Sequence, residues 1–158
     1  HVLDSQLAVG DEMAIKPGKS SLTYRGRAPV TNMVMFCAGL GVVPMLNQVR
    51  EVLASRGSSV TSVTLVWVNE KTGEFDMSYP ELEREFYKYT KKLEVSCCLS
   101  PDLYSDNLAQ NEHVIASLPD YAEGTMAVVA GPDYFVKKAT QLLVNRGYDG
   151  DSVCQLPE

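Results

Sequence analysis

Val34-Met35-Phe36-Cys37-Ala38-Gly39-Leu40-Gly41-Val42-Val43-Pro44-Met45 decides how this chain is read. An unbroken apolar run gives way to Gly-x-Gly-x-x-Pro, and helix-compatible residues follow at once. The run suits a parallel strand covered on both faces. The glycines suit a tight turn into a helix N-terminus, where bare backbone N–H groups and the helix dipole favour an anion such as a pyrophosphate. Taken alone, the same turn serves equally as a plain strand-to-helix bend with no ligand.

Outward from that turn the pattern alternates. Residues 33–38 form the first expected strand and 43–56 a helix striped by Met45, Val49, Val52 and Leu53, with Gly57 as its stop. Val-Thr-Ser-Val-Thr-Leu-Val-Trp-Val at 60–68 is the strongest strand signal in the chain. A polar loop over 69–76 leads to Ser78-Tyr79-Pro80-Glu81, spaced as a capping box. The helix it opens carries Leu82, Phe86 and Tyr89 at helical spacing, which predicts Phe86 in the core and the neighbouring tyrosines partly exposed. A third strand is expected over 93–99, a loop over 102–110 and a short helix over 112–118 closed by Pro119. Residues 126–130 read as a fourth strand, and Gly131-Pro132 turns into a helix over 133–146 striped by Val136, Ala139 and Leu143 and stopped by Gly147. A short fifth strand is expected over 152–156.

Strands alternating with helices predict an α/β fold: a three-layer αβα open parallel sheet of five strands. Ligands of such sheets lie beyond the carboxyl ends of the strands, where strand order reverses. The glycine turns after the first and fourth strands both belong on that edge, so together they favour a nucleotide over a plain bend.

Composition narrows the alternatives. The 158 residues are 45% hydrophobic, enough for one compact core, and carry a net charge of −6. That balance argues against nucleic acid as a partner, and no apolar run approaches the ~20 residues of a membrane span. Cys37, Cys97, Cys98 and Cys154 make no C-x-x-C pair, and with His1 and His113 as the histidines no zinc pattern assembles. Buried free thiols in a reducing, intracellular, most simply cytoplasmic setting are expected. Adjacent strand residues point to opposite faces, so Cys97-Cys98 reads as two buried thiols rather than a vicinal redox pair. Phe86-Tyr87-Lys88-Tyr89 reads as helix packing rather than a stacking platform.

Residues 1–30 differ from the rest, with short extended pieces broken by Gly10-Asp11 and Pro17-Gly18 and too little chain for a core of their own. They are expected to be the end of a preceding β-rich domain and a linker. With His1 in place of Met, a longer natural protein is expected, and any targeting segment would precede this chain.

In order along the chain, Ala-Gly-Leu-Gly-Val-Val-Pro-Met (38–45), Pro-Glu-Leu-Glu (80–83) and Ala-Gly-Pro-Asp-Tyr-Phe (130–135) resemble the pyridine-nucleotide-binding domain of the ferredoxin–NADP reductase superfamily. The resemblance is closest to the NADH-cytochrome b5 reductase and nitrate reductase branch and covers nearly the whole chain. It implies that residues 1–30, through Tyr24, end a flavin-type β-barrel domain and that 31–158 form the nucleotide-binding domain. It implies NAD(H) as cofactor, in preference to NADP(H), with FAD held by an upstream flavin-binding domain and a haem acceptor of cytochrome b5 type among the partners. By position, Gly39, Leu40, Gly41, Val43 and Pro44 match the pyrophosphate motif. Ala130, Gly131 and Pro132 match the nicotinamide turn. Asp76 roughly matches an acidic residue that reads the adenosine ribose and would repel a 2′-phosphate. No residue is assigned a catalytic role, because hydride transfer belongs to the cofactors.

The departures from the family pattern concern side chains. Leu40 and Val43 stand where hydroxyl residues are usual, and Ala130 stands where the family has cysteine. The usual C-terminal aromatic is absent, and before Gly10 the nearest candidate for a flavin-phosphate residue is Ser5. These losses motivate a competing expectation, a degenerate reductase-like domain serving as an interaction or scaffold module. An FMN-binding flavodoxin-like domain would share the fold class, but the first turn lacks a Ser/Thr-rich phosphate loop.

Overall fold

The computed structural model describes residues 29–101 and 106–156. Of the expected barrel remnant and linker (1–30), residues 1–28, and with them the flavin-phosphate candidate Ser5, lie outside the described residues. Five strands form one sheet: β1 Asn32–Ala38, β2 Ser62–Asn69, β3 Leu93–Leu99, β4 Thr125–Ala130 and β5 Val153–Gln155. All pair in parallel, in the order β3-β2-β1-β4-β5. Strand order therefore reverses between β1 and β4.

The helices are α1 Val42–Ala54, α2 Tyr79–Lys88, α3 Glu112–Ser117 and α4 Asp133–Asn145. Alternation along β1 divides the core. Met33, Met35 and Cys37 pack with Val63, Leu65 and Trp67 under α1 and α2. Val34, Phe36 and Ala38 pack with Val66, Val68 and Val129 under α3 and α4. Side chains of period two on a doubly covered strand give this two-sided core, and with it the predicted three layers. Met45, Val49 and Leu53 of α1 are buried as the stripe predicts, as are Val136, Ala139 and Leu143 of α4. No helix among the described residues is long and apolar enough to cross a membrane.

Several local expectations are corrected. The β2 ladder begins at Ser62 rather than residue 60, and runs on through Asn69, which pairs with Leu99. Ser78 precedes α2 without a side-chain capping bond. Phe86 is not core: it is 37% exposed, and the inward stripe of α2 is Leu82 and Glu85. The helix turns that way because Glu85 Oε1 accepts from Arg50 Nε of α1 at 2.9 Å, an ion pair that puts a carboxylate on the inner face. Of the four thiols, Cys97 is exposed rather than buried, because β3 is the outermost described strand on its side of the sheet. Residues Asp106–Gln110, expected as loop, form a 3-10 turn.

Near β5 the chain is pinned by Tyr148, whose Oη donates to the Pro119 carbonyl at 3.2 Å and whose ring meets Tyr121 edge-on at 5.4 Å. Burial pushes its hydroxyl up to about 12, with Arg146 opposing and Asp120 adding to the rise. A folded pKa above the ordinary ~10 means this contribution is complete below pH ~10 and is lost as pH climbs through 12. An ultraviolet titration of tyrosinate should show a late-ionising step that Tyr148→Phe removes. Ionisation of every tyrosine together near pH 10 would contradict it.

Candidate functional site

The site is built where β1 and β4 part. Cys37 of β1 pairs with Ala130 of β4, so Gly39 and Gly131 leave the sheet side by side. After β1 a 3-10 turn, Gly39–Gly41, runs straight into α1. Gly39 sits at φ +55°, a conformation that costs an L side chain ~1–2 kcal/mol. Gly41 is different. Its φ is ordinary, but a Cβ there would lie 2.5 Å from the Ala130 carbonyl oxygen and 2.9 Å from the Gly131 nitrogen. Gly131, at φ +141°, likewise would bring a Cβ to 3.0 Å from the Ala38 oxygen. The two glycine turns predicted to share a crevice are in fact packed backbone against backbone.

Two side chains that sequence reasoning did not single out hold the first turn in place. Trp67, fully buried in β2, donates Nε1–H to the Gly39 carbonyl at 3.0 Å and meets Phe75 edge-on at 4.9 Å. Asn69, at the carboxyl end of β2, accepts the Gly39 N–H on Oδ1 at 3.0 Å. The expectation of bare N–H groups therefore needs correcting at Gly39, whose donor is already taken. The signals were present: a lone Trp in a β-branched strand needs a partner for its indole N–H, and a buried Asn closing an apolar strand needs one for its amide. Asn69 Nδ2 is buried and has no partner among the described residues, a donor beside the turn that lacks an acceptor.

Around this frame, Leu40 is 70% exposed and Val43 is 45% exposed. The positions where the family carries hydroxyls thus form an apolar lip on the turn. Pro44 lies in the first turn of α1, where a missing N–H costs nothing. The first turn of α1 carries no acidic residue, whereas that of α4, after Gly131-Pro132, carries Asp133. Of the two helix starts that follow the glycine turns, α1 is the one whose dipole is left uncompensated for an anion. Ala130 is buried, with no polar group to offer a ring placed beside it. Asp76 is exposed in the loop after β2, on the same edge of the sheet. The loop is organised by Glu74 instead, whose Oε2 accepts from the Glu70 N–H at 3.1 Å and, more weakly, from that of Lys71. Cys37, beneath the turn, is wholly buried, and burial with the nearby Cys97 raises its pKa well above the usual thiol range, so it carries no thiolate toward the crevice.

A family model described as the ferric reductase NAD-binding domain matches residues 30–118, more than half of the chain. The chain belongs to the ferric reductase NAD-binding domain family. Solved structures agree on the fold. The CS-b5R domains of human Ncb5or, in their NAD+ form, align with a TM-score of 0.63 at 17% identity, over 81% of this chain and 37% of that one. Flavohemoglobin from Malassezia yamatoensis, with bound FAD and heme, aligns with 0.63 at 20% identity, over 82% and 32%. The flavohem-like FAD/NAD-binding domain of nitric oxide dioxygenase from Vibrio cholerae aligns with 0.60 at 16%, over 85% and 54%. No curated protein sequence matches the chain. This NAD-binding domain therefore spans about a third to a half of the length of those three structures, and its fold is that of the ferredoxin–NADP reductase type.

Proposed function

We propose that this chain is the nucleotide-binding part of a flavin-dependent NAD(P)H oxidoreductase of the cytochrome b5 reductase kind, positioning NADH for hydride transfer to FAD held by an upstream domain. The observation that carries the reading is the pair of abutting glycine turns at the point where strand order reverses, beside the uncompensated N-terminus of α1. The start of α1 suits a pyrophosphate through its dipole, although the Val42 N–H already donates to the Gly39 carbonyl and Pro44 has no N–H to offer. Asn69 Nδ2 supplies a spare donor beside the turn. Gly131 and Pro132 would shape the slot for the nicotinamide, and Asp76 would face the adenosine ribose. The nicotinamide supplies the hydride when bound; the residues here orient and shield, and none exchanges a proton.

On this reading residues 1–30 end the flavin-type barrel, 31–158 form the nucleotide domain, and electrons leave the flavin for a haem acceptor in a reducing compartment such as the cytoplasm. The chain without its flavin domain would not turn over.

A specific observation favours a second reading, a scaffold with weakened nucleotide binding. Gly41 and Gly131 are required by packing between the turns whether or not a ligand binds, and Leu40 and Val43 give the exposed lip no hydrogen bonds. Calorimetric titration with NADH, NADPH and ADP-ribose separates the two. Saturable binding of NADH below ~1 mM, about −4 kcal/mol, supports the reductase reading, and silence at millimolar ligand overturns it. If the lip faces the ligand, Leu40→Thr and Val43→Thr should each tighten NADH by roughly two- to tenfold, the worth of one net hydrogen bond of ~0.5–1.5 kcal/mol. Unchanged affinity in both variants would place the ligand elsewhere.

A further inference from the structure

Away from the crevice, the outer edge of β3 is open among the described residues. The strand pairs with β2 residue for residue from Leu93 to Leu99, without a bulge, and no strand among the described residues covers its other side. Natural edge strands are usually blunted by lysine, proline or a bulge. Here Leu-Glu-Val-Ser-Cys-Cys-Leu offers one charge, Glu94. Beside the edge runs a groove of about 310 Å³, lined by Tyr79, Phe86 and Tyr87 of α2 and by Val95 and Cys97 of β3. Tyr79 is 48% exposed and Tyr87 is 69% exposed, and Leu99 is also left open at the end of the strand. Clustered exposed aromatics of this kind mark an interaction surface.

We propose that this edge and groove form a two-fold interface with a second copy of the chain. Charge selects the occupant. Glu81 and Glu83 lie in the first half of α2, whereas Lys88, Lys91 and Lys92 lie at its end and just beyond, all exposed. Two copies related by a two-fold axis across β3 run their α2 helices antiparallel, setting each acidic half against the other's basic end. A parallel arrangement would set like charges together. Full overlap of the seven-residue strand centres the axis on Ser96, which pairs Leu93 with Leu99 and Val95 with Cys97 of the second copy and opposes no two charges. An interface of this type is isologous and closes at two subunits.

Sedimentation velocity on the 158-residue chain, 17.4 kDa as a monomer, gives the first test. A reversible, concentration-dependent dimer is expected. Tyr87→Lys should weaken it by about tenfold or more, the scale of a buried aromatic anchor. Glu81→Lys and Lys88→Glu should each weaken it, and the two together should restore it. Cross-linking gives a second test that needs no folding-sensitive variant. The two Cys97 thiols would lie diagonally across the axis, at about the 7–8 Å of such neighbours, so a short bis-maleimide should join them and Cys97→Ser should abolish the product. A monomer up to hundreds of micromolar overturns the proposal. So does a dimer indifferent to Tyr87→Lys and not joined through Cys97.

Discussion

Gly41→Ala is expected to destabilise the domain by about 3 kcal/mol or more, while Gly39→Ala two residues earlier costs only ~1–2 kcal/mol. The contrast inverts the usual reasoning about glycine. Gly39 has the left-handed φ, but a Cβ on it would project into open space. Gly41 has an ordinary helical φ, yet its Cβ would stand 2.5 Å from the Ala130 carbonyl oxygen. That oxygen belongs to the end of β4 and cannot swing aside as a flexible side chain could. Relief requires the whole start of α1 to lift from the β4 turn, which would also open the crevice. Urea denaturation midpoints for the two variants check this, provided the slope stays constant. Equal losses, or a greater loss at Gly39, would mean that conformation rather than contact governs the turn.

Trp67→Ala carries the second large effect, an expected loss of about 3–5 kcal/mol. The indole fills the layer beneath α1 and α2, braces Phe75 and donates to the Gly39 carbonyl. Trp67→Phe separates these roles, because it keeps most of the apolar volume and deletes only the N–H. It should cost less than the alanine variant, yet take the indole bond from the Gly39 carbonyl, which then keeps the Val42 N–H, so nucleotide affinity should fall more than stability does. Thermal or urea unfolding beside a calorimetric titration reads both quantities. If Trp67→Phe retains full affinity, the indole bond is not what sets the turn.

The sheet was legible because β1 is apolar from Met33 to Ala38, because β2 is rich in β-branched residues, and because glycine follows β1 and β4 directly. A chain that buries both faces of a strand has little other way to write it. Alternation alone predicts a parallel sheet covered on both faces, which sets both glycine turns on one edge; that β1 and β4 are neighbours with strand order reversing between them is seen only in the structure. What could not be read was contact across that edge. No spacing rule reveals that Gly41 touches Ala130, since the two are 89 positions apart and the approach depends on the exact lift of the turn. Asn69 escaped notice for a related reason, as a polar residue at a strand end looks like the start of the loop. On α2, Leu82, Phe86 and Tyr89 fit a helical stripe as well as Leu82, Glu85 and Tyr89 do. Hydrophobicity favours the first, and only Arg50 on a neighbouring helix makes the second correct. The exposure of Cys97 likewise depends on which strand ends the sheet.

On the proposed function, the two abutting glycine turns receive a nicotinamide dinucleotide. Its most direct test is an amide NMR titration of the isotopically labelled chain with NADH. Saturable shifts of the Leu40, Gly41 and Gly131 amides and of the Asn69 side-chain amide are expected, with the β3 edge and the Tyr87 groove unmoved. Shifts confined to surfaces away from the two turns, or none at millimolar NADH, would contradict it.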